Sequence, residues 1–368
     1  MSLNIQITTL KVVWYIHSNK FYILNNLPFE KYLGEYLLMI KNKICVIGAS
    51  GLVGSHITCE ALKRGYIVNG TMRDNSNKSK TRYLKLLQNS ENLNLFTSDM
   101  RNMDSLQAPL EGADCVFIAS LIPTYTGLNG KNAKEMEIDQ GYIEIIMPTV
   151  TGCMNILETA KKCGIKKAVI CSSTSSANPF PAVPIKNEDH WSDVEHQCKE
   201  KKYTSAAKTI MEKIALEFCE KEGIRLSIFL PTGLYGTAIL PDHMRHNPFS
   251  WIKSLIEGGP PRHTQTPNDS ASMIHLHDLR KLMLAAYEDE NAFGRYFGVY
   301  GSIHWKDIYA ECKKYIPNMQ TPLPIRENPV EETKFDFLRR DSLKVNVRDF
   351  PTLLRETVEW VQSNPFDE

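Results

Sequence analysis

From Lys43 onward, short runs of apolar and β-branched residues alternate with longer stretches of mixed apolar and polar character. Ile44–Ile47, Ile67–Met72, Leu93–Thr97, Cys115–Ala119, Lys167–Ser172 and Leu226–Leu230 read as strands, the last ended by Pro231. Leu52–Arg64, residues 78–87, residues 137–162 and residues 203–222 read as helices, with Gly65, Gly164 and Gly223 closing three of them. Strands that alternate with helices of this length imply parallel strands joined by right-handed crossovers. The expected fold class is therefore α/β, a doubly wound parallel Rossmann sheet with a smaller C-terminal substrate lobe. Residues 39–235 are expected to form the dinucleotide-binding domain. Beyond Gly236 the texture changes, with Pro241, Pro248, Pro260 and Pro261 breaking the pattern, and residues 236–368 read as mainly the substrate-binding lobe. Within it, Ser272–His275 and Asp278–Tyr287 read as one more strand and helix returning to the main sheet near residues 271–300.

Composition narrows the function without naming it. The chain has 368 residues, 42% hydrophobic and 23% charged, enough to bury a large core. A formal net charge of +1 provides no field of one sign to attract nucleic acid or an anionic membrane. The nine cysteines form no Cys-x-x-Cys pair, which points to a reducing, cytoplasmic setting and no zinc site. No apolar stretch reaches the length of a membrane-spanning helix. Residues 1–38, rich in Asn, Tyr, Leu and Ile, show no clear amphipathic period. Met39 reads as the start of the domain and a candidate native start, with a packed N-terminal arm as the alternative.

The densest chemistry lies in Ile44-Cys45-Val46-Ile47-Gly48-Ala49-Ser50-Gly51-Leu52-Val53-Gly54. Gly48 permits a tight turn after the first strand, Gly51 lets backbone approach a pyrophosphate, and Gly54 lets the helix pack against the strand. The helix N-terminus then offers N–H groups to the phosphates. At the end of the second strand, Gly70-Thr71-Met72-Arg73 carries no acid for ribose hydroxyls. Arg73 stands instead where a 2′-phosphate would lie, and Lys80 is seven residues further on; this favours NADP(H) over NAD.

The Gly48-x-x-Gly51-x-x-Gly54 spacing resembles that of the extended short-chain dehydrogenase/reductases, the NAD-dependent epimerase/dehydratase superfamily. The closer resemblance is to the dihydroflavonol reductase and cinnamoyl-CoA reductase group. It is carried by Arg73-Asp74, Lys80, Tyr83-Leu84, Ser98-Asp99-Met100, Val116–Ser120, Glu188–Asp193, Met273–Leu279, Gly294-Arg295-Tyr296 and Leu354–Trp360, and covers about residues 39–362. It implies hydride transfer between a nicotinamide and a small-molecule carbonyl or alcohol. It also implies cofactor contacts from Gly48, Ser50, Gly51, Leu52, Val53, Gly54, Arg73, Lys80, Asp99, Met100, Ala119, Ser120, Lys208, Pro231 and Leu234. The family's chemistry rests on a Ser, a Tyr and a Lys, which map to Ser173, Tyr203 and Lys208.

The tyrosine is out of register. The family spacing is Tyr-x-x-x-Lys, but four residues before Lys208 stands Thr204, with Tyr203 one further back, about 100° around a helix. A π-bulge near the helix start, or a non-helical first turn, returns Tyr203 to the Lys208 face. Otherwise Thr204 takes the acid's place, and a threonine hydroxyl is a poor acid. His275 and His277 alternate on an expected strand and so are expected to face opposite ways; no cluster has metal-ligand spacing. Three functions stay open: an NADP-dependent reductase of a small aldehyde or ketone, a nucleotide-sugar epimerase or dehydratase holding NAD, and a non-catalytic NADP(H)-binding sensor. The expected assembly is a monomer or homodimer.

Overall fold

The computed structural model describes residues 15–17, 20–22, 42–121, 126–363 and 366. Residues 1–42 and 43–368 form separate units. In the first, Tyr15–His17 and Lys20–Tyr22 pair antiparallel; the rest of the expected 1–38 extension, and Met39, lie outside the described residues.

The second unit is built on a sheet of seven parallel strands: β1 (Lys43–Ile47), β2 (Ile67–Met72), β3 (Leu93–Thr97), β4 (Cys115–Ile118), β5 (Lys167–Cys171), β6 (Arg225–Pro231) and, later in the chain, Gly294–Gly298. The order across the sheet is β3-β2-β1-β4-β5-β6 followed by Gly294–Gly298 at the edge. The central strands β1, β4 and β5 are apolar at nearly every position because both faces are covered. Ile44 and Val46 enter one core with Phe117 and Phe229, whereas Cys45 and Ile47 enter the other with Val116 and Ile118. Helix α1 (Leu52–Lys63) lies on the first face. On the second lie α2 (Met147–Lys162) and α3 (Tyr203–Glu222), which pack against each other. The strand order reverses between β1 and β4, and there the carboxyl ends open a crevice suited to a ligand.

The returning segment differs from expectation. The strand β7 (Leu234–Tyr235) pairs with β8 (Ser270–His275), and β8 pairs antiparallel with Gly301–His304, hereafter β10, in a separate three-stranded sheet. The strand that joins the main sheet is β9 (Gly294–Gly298), parallel to β6. Its sequence, Gly-Arg-Tyr-Phe-Gly, hides it: glycines at both ends and a charge inside read as a turn. The helix after β8 does return, as α4 (Leu276–Glu288), against α1 and the sheet. No helix among the described residues is long and apolar enough to cross a membrane.

His275 and His277 meet instead of facing apart, their ring centroids 4.8 Å from each other. The strand ends at His275, whose Nδ1 accepts from the His277 backbone N–H at 3.1 Å, so the chain turns into α4 between them. His56 of α1 stands 5.7 Å from His277 and donates through Nε2 to the Thr237 carbonyl at 2.9 Å. Arg280, Arg348, Lys63 and Lys281 add positive charge around the cluster, with Glu60, Asp278 and Glu356 as counter-charges. Burial, reinforced by these cations, pulls all three imidazoles down: His56 well below its usual range, His275 to about 2 and His277 to about 3.

These histidines are neutral in the folded chain and protonate freely when it unfolds, so unfolding takes up protons as pH falls below about 6.5. We expect stability to drop on acidification from pH 7 to 5, by up to about 1.4 kcal/mol per pH unit for each histidine. Thermal melts across that range check it, with His277→Asn flattening the slope; a melting temperature unchanged between pH 7 and 5 refutes it.

Candidate active site

The β1–α1 turn is shaped by what a side chain would strike. Gly48 sits at φ +82°, and a Cβ there would lie 2.4 Å from the Ser120 Cβ at the end of β4. A Cβ on Gly54 would lie 2.1 Å from the Gly48 carbonyl oxygen. The turn is pinned to β2, because Gly48 N–H donates to Thr71 Oγ1 at 3.0 Å and Ala49 N–H to the Thr71 carbonyl at 2.8 Å. Gly51 caps α1 without a side-chain hydrogen bond, leaving the first-turn amides, those of Leu52 and Val53 among them, to an external acceptor. Ser50 lies in this turn and is half-buried. These residues fit a dinucleotide pyrophosphate: backbone packed close, no side chain in the way, a helix N-terminus behind.

At the neighbouring strand ends, Arg73 is exposed and makes no hydrogen bond or ion pair with another described residue. Asp99, beyond β3, is held below the usual carboxylate range by hydrogen bonds from Arg101, with the charge of Arg73 adding to the effect. Met100 is half-buried beside it, and its carbonyl accepts from Asn155 Nδ2 at 2.9 Å. Lys80 is already paired, with Nζ 3.2 Å from Asp242 Oδ2. Asp242 belongs to a short segment, Pro241–Arg245, whose His243 donates through Nε2 to the Ser50 carbonyl at 3.1 Å. Residues beyond Gly236 therefore touch the glycine turn directly. Pro231 ends β6 and Leu234 opens β7; neither lines the cavity described next.

That cavity, of about 390 Å³, lies at the carboxyl ends of β4 and β5. Ala119, Ser120 and Leu121 from the end of β4, Cys171, Ser172, Ser173 and Ser175 from the end of β5, and Thr149 of α2 form one side. Thr204, Ser205 and Lys208 of α3 form the other. Ser173 Oγ accepts from the Ser175 backbone N–H at 3.2 Å, which fixes its hydroxyl at the wall. Lys208 is half-buried, and loss of water lowers its affinity for a proton. Ser173 and Lys208 are thus brought together. Tyr203 is not brought to them. It opens α3, its ring is fully buried, and its hydroxyl donates to the Met136 carbonyl at 3.2 Å. The ring lies flat against Gly141, where a Cβ would come within 2.4 Å of it. The helix starts regularly, so the one-residue offset is kept and Thr204 occupies the face that Tyr203 was expected to reach. A π-helical stretch does exist, but at Tyr142–Ile146, ahead of α2.

Residues 44–297 match the model of the NAD dependent epimerase/dehydratase family. The chain belongs to this family. It is 31% identical over 266 residues to an anthocyanidin reductase from Arabidopsis thaliana, covering 69% of this chain and 74% of that one. It is also 31% identical over 262 residues to a dihydroflavonol 4-reductase from Callistephus chinensis, covering 69% and 67%. The fold is similar to that of the yeast methylglyoxal/isovaleraldehyde reductase Gre2 complexed with NADPH, with a TM-score of 0.72 at 17% identity, covering 88% and 98%. With these relatives, the protein is an oxidoreductase of an NAD(P)-dependent superfamily.

This family member carries a buried ion pair behind its cavity that sequence reading did not single out. Glu212, one turn beyond Lys208, is fully buried and accepts from Arg295 Nε at 2.9 Å and from the Ser172 hydroxyl. Arg295, on β9, also donates to the Glu188 and His190 carbonyls, each at 2.7 Å, and to Ser176 Oγ at 3.0 Å, with its guanidinium 3.7 Å above the Trp191 ring. The available signal was the four-residue spacing of Lys208 and Glu212 on one helix face. Burial pushes the Glu212 carboxyl up and Arg295 opposes it.

Removing one partner strands the other charge in the core, which typically costs about 3–5 kcal/mol. Arg295→Ala should therefore destabilise the fold by about that amount, measured by denaturant unfolding, and a loss under 1 kcal/mol would contradict the arrangement. Gly54→Ala should cost about 1–3 kcal/mol through overpacking against Gly48, and should weaken dinucleotide binding in a fluorescence titration.

Proposed function

We propose that the protein is an NADP(H)-dependent reductase of a small aldehyde or ketone. The observation that carries this reading is the cavity at the ends of β4 and β5, where Ser173 and Lys208 line the same space as Ser120, the residue that Gly48 of the glycine turn packs against. In this reading Gly48–Gly54 hold the pyrophosphate, Asp99 and Met100 flank the adenine, and Ala119, Ser120, Pro231 and Leu234 follow the dinucleotide toward the cavity. When bound, the nicotinamide supplies a hydride to the carbonyl carbon. Lys208 orients the ribose, Ser173 donates a hydrogen bond to the carbonyl oxygen, and the small hydroxylated wall sets the size of the substrate. Arg73 selects the 2′-phosphate; Lys80 contributes less because Asp242 already balances its charge.

Tyr203 favours a second reading, an NADP(H)-binding sensor without turnover, since its phenol is committed to Met136. Turnover of NADPH over a panel of small carbonyls separates the two.

The preference for NADP(H) rests on Arg73. Wild-type protein should bind NADPH more tightly than NADH. Arg73→Asp should lose roughly ten- to hundredfold in NADPH affinity while changing NADH binding little, since a charge-assisted contact is worth about 1.5–3 kcal/mol. Wild-type preference for NADH would reverse the assignment.

A further inference from the structure

Reduction of a carbonyl needs a proton for the oxygen, and the phenol expected to deliver it lies elsewhere. Tyr203 is sealed between Met136 and Gly141, so its hydroxyl has no path to the substrate. Among the described residues, the polar groups that face the cavity are aliphatic hydroxyls, one thiol and one ammonium. Serine and threonine hydroxyls hold their protons more tightly than a phenol does. Cys171 is no better placed, since burial pushes its thiol up to about 11. Lys208 differs in kind. Its ammonium makes no ion pair with another described residue, and it lines the cavity together with Thr204, the residue that stands where the family's acid would.

We propose that Lys208 is itself the proton donor in this chain, with Thr204 leaving the space through which its ammonium reaches the substrate oxygen. The proposal rests on the reductase reading above. As the carbonyl carbon accepts hydride from the bound nicotinamide, the C=O π pair settles on oxygen. An N–H bond of Lys208 breaks as the new O–H bond forms. The product is the alcohol, the nicotinamide is left oxidised, and the neutral amine regains its proton from water. The groups around the ammonium suit this cycle. Burial lowers its hold on the proton, while Cys171 of β5, Cys153 of α2 and Glu212 on its own helix oppose that effect. Glu212 is in turn neutralised by Arg295 from β9, so no full negative charge pins the proton on Lys208.

The test uses the full chain. Lys208→Arg keeps the positive charge and ribose contact but holds its protons too tightly to donate. It should bind NADPH within about threefold of wild type while kcat falls 10²–10⁴-fold, the usual contribution of a general acid. Lys208→Ala should regain at least tenfold in kcat on addition of methylamine, in proportion to the methylammonium concentration. Thr204→Val should lower kcat at least tenfold less than Lys208→Arg does. A readout independent of turnover is the NMR signal of Lys208 after ¹³C reductive methylation, identified by its absence in Lys208→Arg; in the cofactor-free protein it should titrate below the other lysines. A Lys208 signal titrating with the surface lysines, no amine rescue, or a loss in Thr204→Val matching that of Lys208→Arg overturns the proposal while leaving the reductase reading standing. Wild-type protein that binds NADPH yet reduces no carbonyl overturns both.

Discussion

The Glu212–Arg295 pair is the contact on which the geometry of the site depends. A carboxylate and a guanidinium, both almost without solvent, hold each other in the core and have no alternative partner in water. Arg295 comes from the edge strand β9 and Glu212 from α3, so the pair fastens the outermost strand to the helix that carries Lys208. The remaining guanidinium donors fix the carbonyls of Glu188 and His190, and the remaining carboxylate oxygen takes the hydroxyl of Ser172. One electrostatic contact thus sets the position of the cavity's far wall, its serine-bearing strand end and the loop that leads into α3.

Against that frame, the one-residue offset of Tyr203 has a physical meaning. A helix fixed at Glu212 and packed along α2 cannot rotate by 100° to return a side chain to the cavity without moving Glu212 off Arg295. The tyrosine therefore keeps the register that the sequence assigns it and is absorbed into packing against Gly141 and Met136. Among the described residues, Tyr203 is lost to the cavity, which is walled by hydroxyls, an ammonium and a thiol.

Much of this was legible beforehand because it depends on local rules. The strands β1 to β6 are short runs rich in apolar and β-branched residues, and the glycines at 48 and 54 follow from close backbone contacts that any side chain would break. The offset between Tyr203 and Lys208 was visible, but its outcome was not, since it turns on contacts with residues 136–141 that are distant in sequence. The edge strand β9 was missed for a similar reason: a buried arginine is compatible with a strand only when a partner is waiting, and Glu212 is 83 residues away. The meeting of His275 and His277 depended on where β8 stops, and a strand end is hard to place when the next residues, Leu276 and His277, continue the alternation.

The segment Pro241–Arg245 links two parts of the molecule that are otherwise treated separately. His243 holds the carbonyl of Ser50 and Asp242 holds Lys80, so this later stretch of the chain leans on the glycine turn. Any ligand that draws this segment away from Ser50 alters the affinity of the turn for its own ligand. Thermodynamic reciprocity requires the same factor in the opposite direction. The affinities of two ligands are therefore coupled through five residues that touch neither the hydride path nor the proton.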